Sequence, residues 1–137
     1  MRISKTFVTV DIVVLQQTVN GAKLLLIRRK KEPFQHSWAL LGGFVEQDED
    51  LYDAARRELA EETGINVGPV EQLKAFGKPH RDPRGHMVSV AFLAIVAENT
   101  VAEAADDAAD AQWFSVNDLP NLAFDHAEII SFARTKT

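Results

Sequence analysis

The chain has 137 residues, 46% hydrophobic and 26% charged, with a formal net charge of −5 and no cysteine. That length suits one domain burying about two thirds of the surface its unfolded form exposes, and the lack of cysteine excludes disulfides and thiolate metal sites. Net acidity disfavours non-specific nucleic-acid binding, no run of about 18 apolar residues offers a membrane span, and the start, MRISKTFVTVDIVVLQQ, lacks a cleavage pattern, so the expectation is a cytoplasmic protein.

Phe7 to Leu15 is β-branched and apolar, Asn20-Gly21 is a hairpin signal, and Lys23 to Arg28 returns as a second strand. This predicts a long antiparallel hairpin. Lys30 to Ser37 is a polar loop, and Trp38 to Leu41 a short strand running into Gly42-Gly43, where tandem glycines let a backbone carbonyl approach a ligand. A helix is predicted from about Asp50 to Thr63: Ala, Leu, Glu and Arg dominate, no Pro interrupts, Glu49 or Asp50 serves the N-terminal end, and Gly64 stops it.

Val67 to Phe76 carries a strand pattern toward its end, and Gly77 to His86 is a Gly- and Pro-rich connecting loop. Met87 to Ala97 is a long apolar strand for the middle of a sheet. Glu98 to Asp110, acidic and Ala-rich, is expected as loop, with the next strand at Gln112 to Phe114. Ser115 caps a turn ending at Pro120, and the apolar spacing of Phe124 to Thr135 predicts a last helix. Strands, helix, strands, helix describe an α/β (α+β) chain: a mixed sheet covered on both faces, an α/β/α sandwich.

On the first helix Leu51, Ala55, Glu58 and Glu62 fall within roughly 60° of one another, with Glu61 about 60° to one side. Like charges at these spacings cost roughly 0.2–0.5 kcal/mol per pair when exposed, and more when partly buried. Arg57 reaches Glu61 at i,i+4, but Glu58 and Glu62 remain. Two oxygen donors one turn apart suit a hard divalent cation such as Mg²⁺ or Mn²⁺; a solvated, salt-bridged helix face gives the same charge pattern.

Gly43, Glu49 after five residues, Arg57, Glu58 and Leu59 after seven more, then Glu61, Glu62, Gly64 and Ile65 match every fixed position of the Nudix box. Such a match arises by chance on the order of one time in a billion per starting position. The chain therefore resembles the Nudix hydrolase family. Leu25 to Ala39, Gly42 to Glu46, Pro79 to Phe92 and Leu122 to His126 resemble the bacterial ADP-ribose pyrophosphatase branch, with its related regulators of NAD metabolism. One departure is Leu41, where that branch usually has Pro, which frees φ and adds an N–H.

The resemblance implies the Nudix fold and a Mg²⁺-dependent hydrolase, with Mn²⁺ as a substitute, that splits the pyrophosphate of a small nucleotide, ADP-ribose giving AMP and ribose 5-phosphate. Another nucleotide (NADH, a nucleotide sugar or a nucleoside triphosphate) and a non-catalytic ADP-ribose sensor are the alternatives. It implies metal ligation by Glu58, Glu62 and Glu61 with a carbonyl near Gly42 or Gly43, orientation of these by Arg57 and Glu49, and often a homodimer. The water-activating base is a box Glu or one of Glu103, Asp106 and Asp107. A chain ending at Thr137 leaves no room for an attached DNA-binding domain, so neither a nucleic-acid nor a membrane partner is expected.

Arg81-Asp82-Pro83-Arg84-Gly85 puts two guanidinium groups on a rigid turn, suited either to phosphate oxygens or to a local Arg to Asp pair. Phe34 suits base stacking or core equally, whereas Trp38 suits core. His126 is a general base or ribose contact, or, more commonly for such a residue, a capping or packing group. The other histidines, His36, His80 and His86, have no zinc-ligand spacing.

Overall fold

The computed structural model describes residues 2–103 and 108–137. The element order is β1 (Thr6–Thr18), β2 (Gly21–Arg29), β3 (Trp38–Ala39), β4 (Leu41–Phe44), α1 (Leu51–Thr63), β5 (Glu71–Phe76), β6 (His86–Val96), β7 (Ala108–Ser115) and α2 (His126–Arg134). All seven strands join one mixed sheet in which β1 and β6 run parallel and the other pairs antiparallel.

The expected long hairpin is short. β1 and β2 pair only from Leu15↔Leu24 to Thr18↔Gly21 at the turn. Beyond that point the two strands splay, and the run from Trp38 to Phe44 wedges between them. It pairs first with β2 (Ile27↔Ala39) and then with β1 (Ile12↔Leu41 to Thr9↔Phe44), changing partner at Leu40. The opposite edge of β1 is filled along its length by β6, from Thr6↔His86 to Gln16↔Val96.

Period-two alternation in β1 sends Val10, Ile12 and Val14 to one face, against Ala54, Ala55 and Leu59 of α1. Val13 and Leu15 go to the other, against Ile129, Ile130 and Ala133 of α2. The helices thus cover opposite faces of the sheet, the expected sandwich. Leu41, in place of the Pro, is fully buried in the α1-side core. The added N–H lies in a paired strand, so burial offsets the freedom gained.

α1 starts and stops where the sequence places it. The Asp50 carboxylate accepts the Tyr52 N–H at 2.9 Å, and Gly64, at φ 74°, donates its N–H to the Ala60 carbonyl. Two boundaries differ from expectation. β7 begins at Ala108 instead of Gln112, because Ala111, Asp110 and Ala108 pair with Ile27, Arg28 and Arg29. α2 begins at His126, because Phe124 lies at φ 52°, outside helical space.

Candidate active site

A cleft of about 530 Å³ opens where β4 passes between β1 and α1. Neighbouring groups approach closely on both faces of β4. A Cβ on Gly42 would overlap the Val10 carbonyl oxygen and lie 2.7 Å from Asp11 Oδ1, and one on Gly43 would lie 2.5 Å from Glu58 Oε1. Carboxylates therefore crowd this strand from both sides.

Glu62 is turned toward β4, where its Oε2 accepts the Gly42 N–H at 3.1 Å. Burial, then the neighbouring charge of Glu58 and more weakly Asp11, push its pKa up to about 9. Burial likewise raises Glu58, with Arg57 opposing.

Arg57 gathers the other acids. It grips Glu49 bidentately (Nε to Oε2 2.7 Å, Nη2 to Oε1 2.9 Å), donates from Nη1 to Glu58 at 2.9 Å and Glu61 at 3.2 Å, and from Nη2 to the Phe44 carbonyl at 3.1 Å. The hydrogen bonds from Arg57, helped by the Glu46 N–H, hold Glu49 down to about 2. Among the described residues no three acidic or imidazole side chains already converge as a metal shell. Arg57 draws Glu58 and Glu61 to itself, while Glu62 faces Gly42. The donor chemistry nonetheless fits a hard divalent cation: the donors are all oxygen, and partial burial disfavours the ionised form of both Glu58 and Glu62.

A pH dependence follows for the metal-free chain. Glu62 binds its proton more tightly folded (about 9) than at the ordinary 4.5, so its contribution is fully present below 4.5 and is lost as pH rises toward 9. The metal-free unfolding temperature should fall over that window, and Glu62→Gln should flatten the fall. Thermal unfolding in chelator at stepped pH reads this; an unchanged slope in the variant would place the titration elsewhere.

The same cleft is also lined by arginines. Arg84 is gripped bidentately by the buried Asp82 (Nε to Oδ1 3.1 Å, Nη2 to Oδ2 2.7 Å), which also accepts the Arg84 backbone N–H. Its guanidinium lies 5.3 Å from the Phe44 ring centroid and 5.6 Å from that of Phe124. Arg84 keeps 38% side-chain exposure, whereas Arg81, at 5%, is clamped by both oxygens of Asp125. The turn therefore offers one accessible guanidinium, Arg84, with Arg81 buried behind it.

Arg29, Asp11, Phe44 and Phe124 line the cleft but escaped sequence reasoning as site residues. Arg29 donates from Nε to the Pro33 carbonyl at 2.6 Å and lies 5.1 Å over the Phe124 ring. Burial, then the like charge of Arg84, lower its pKa. The sequence signal for Asp11 was a lone acid inside an apolar strand; Arg29 had only its place at a strand end.

His126 lies on the cleft wall but is 4% exposed. Its Nδ1 accepts the Leu40 N–H at 3.0 Å and its Nε2 faces Asp11 Oδ1 at 3.4 Å. Burial lowers its pKa, so the ring is neutral. Both nitrogens face protein groups, the packing arrangement that is the more common outcome for such a residue. Phe34 packs at a tilt of 55° against Phe124, centroids 4.7 Å apart, and is not among the cleft-lining residues, and Trp38 packs edge-on against Phe114 at 4.9 Å. Glu103 does not line the cleft and donates its N–H to Thr63; Asp106 and Asp107 lie outside the described residues.

Residues 5–132 match the family model of the NUDIX domain. The chain is 46% identical over 108 residues to an ADP-ribose pyrophosphatase of Methanocaldococcus jannaschii, covering 79% of this chain and 63% of that protein. It is 35% identical over 132 residues to the ADPR responsive transcriptional repressor NtrR of Acinetobacter baylyi, covering 92% and 53%. The chain thus spans less than two thirds of the length of these relatives. The solved NUDIX domain of Shewanella oneidensis NrtR, complexed with ADP ribose, superposes with a TM-score of 0.89 at 33% identity, over 98% of this chain and 90% of that one. No helix among the described residues is long and apolar enough to cross a membrane.

Proposed function

Because the chain belongs to the Nudix family, we propose that it hydrolyses the pyrophosphate of a nucleoside diphosphate derivative, ADP-ribose giving AMP and ribose 5-phosphate, with Mg²⁺ or, in its place, Mn²⁺. The observation that carries this is one cleft lined both by Glu58, Glu61 and Glu62 and by Arg29 and Arg84. A pyrophosphate diester is a dianion that repels nucleophiles. Hydrolysing it needs cations around the phosphoryl oxygens and a water brought in line, and both products leave as phosphomonoesters.

Glu58 and Glu62 would hold the cation, with Glu61 released from Arg57 to share it and a Gly42 or Gly43 carbonyl completing the donors. When bound, the cation neutralises phosphoryl charge and lowers the pKa of water. Arg57 and Glu49 orient the acids, since Arg57 donates to Glu49, Glu58 and Glu61. Arg84, and Arg29 beside it, neutralise the substrate phosphates, and Phe44 or Phe124 supplies an apolar face for a base or sugar. Arg81 and Asp82 act by holding the turn.

The name of the M. jannaschii relative supports ADP-ribose as substrate, and so does the ligand of the solved S. oneidensis domain. The repressor relative keeps a sensor as second reading. Catalysis is favoured because a site that only bound ligand gains nothing from two partly buried, mutually repelling carboxylates. A panel of nucleotides, assayed with coupled phosphatase for released phosphomonoester, tests the substrate: ADP-ribose should lead it, and turnover confined to nucleoside triphosphates would refute that assignment.

Arg84→Lys should lower kcat/KM nearly as much as Arg84→Ala, about tenfold or more, because an ammonium cannot keep the bidentate grip on Asp82 and also reach phosphate. Steady-state kinetics on the two variants checks this. Full activity in the Lys variant would mean that charge alone matters there.

A further inference from the structure

Leu40 is where the wedge between β1 and β2 changes partner. The residue is 2% exposed, and a buried N–H without a partner is costly. His126 Nδ1 accepts that N–H at 3.0 Å. A nitrogen that accepts carries no proton, so the ring proton sits on Nε2 and faces Asp11 Oδ1 at 3.4 Å. Asp11 Oδ2 in turn accepts the Ser89 hydroxyl at 2.5 Å. Ser89, Asp11, His126 and the Leu40 amide therefore form a buried relay from β6 through β1 and the start of α2 to the switch between β3 and β4. Two residues on, Gly42 is paired with Asp11 and gives its N–H to Glu62, and Gly43 abuts Glu58.

We propose that Asp11 and His126, held by Ser89, are positioning residues: through the Leu40 amide they set the path of Leu40 to Gly43, and hence the distance at which the β4 backbone meets Glu58 and Glu62. This rests on the proposed reading of the cleft as a divalent-cation site. The backbone oxygens of β4 and the carboxylates of α1 belong to different elements, so a shift of β4 separates donors that must converge. Neither positioning residue is required to touch substrate.

Mn²⁺ binding is measured by electron paramagnetic resonance on the purified chain without nucleotide, together with thermal unfolding. His126→Leu should weaken Mn²⁺ binding about 10- to 100-fold and Ser89→Ala, which leaves every charge in place, about tenfold. His126→Asn, whose Oδ1 offers an acceptor near the Nδ1 position, should recover most of the loss. Unchanged Mn²⁺ affinity in folded His126→Leu, or equal weakening in the Leu and Asn variants, overturns the proposal. If His126→Leu does not fold, Ser89→Ala decides, and wild-type affinity there overturns it. A wild-type chain that binds no Mn²⁺ overturns the cation reading itself, and this inference with it, and so is told apart from failure of the relay alone.

Discussion

Glu58→Gln and Glu62→Gln should each lower kcat for ADP-ribose by at least about 10²-fold while the fold persists. Each exchange keeps side-chain shape and removes one charge from the proposed cation site. Folding should not suffer, because both carboxylates are raised above their ordinary pKa by burial, so a neutral amide relieves a cost. Glu62→Gln should even unfold at a higher temperature than wild type in chelator at pH 8. The two changes should also be non-additive, since removing either ligand opens the same shell. Steady-state kinetics with unfolding curves on the same samples reads both effects; near wild-type turnover in both variants would remove these acids from the mechanism.

The adjacent glycines should separate folding from activity. Gly42→Ala places a methyl against the Val10 carbonyl and the backbone of its paired strand, which cannot turn aside. Overpacking of this kind costs about 1–3 kcal/mol or more, enough to lower the unfolding temperature by about 10 °C in a chain of this size. Gly43→Ala meets only the end of Glu58, a flexible side chain that can swing away. Its unfolding temperature should change little while kcat falls at least tenfold, because the displaced carboxylate is a proposed ligand. Equal stability in both variants would mean that β4 is less tightly wedged than its contacts indicate.

α1 was readable almost to the residue because everything defining it is local: an Asp cap, helix-forming residues and a left-handed Gly stop. The acids on it were readable from their spacing. The extent of the β1–β2 hairpin was not, since whether Thr9 pairs with β2 or with Phe44 depends on a wedge that arrives some thirty residues later. The same non-locality hid Arg29 and Asp11, ordinary in sequence and distinctive only beside Arg84, Phe124 and His126. Arg81 and Arg84 share one turn in the sequence, with Arg84 the first choice for phosphate. Asp125, from the segment before α2, takes Arg81 and leaves Arg84 as the more exposed. For His126 the partner of Nδ1, the Leu40 amide, lies 86 residues away in sequence.

The most direct measurement is incubation of the purified chain with ADP-ribose and Mg²⁺, with products separated by chromatography. AMP and ribose 5-phosphate should appear in equal amounts, at a rate that chelator abolishes and Mn²⁺ restores. Tight binding of ADP-ribose by calorimetry, with no AMP formed in either metal, would contradict catalysis and make the cleft a sensor of the same ligand.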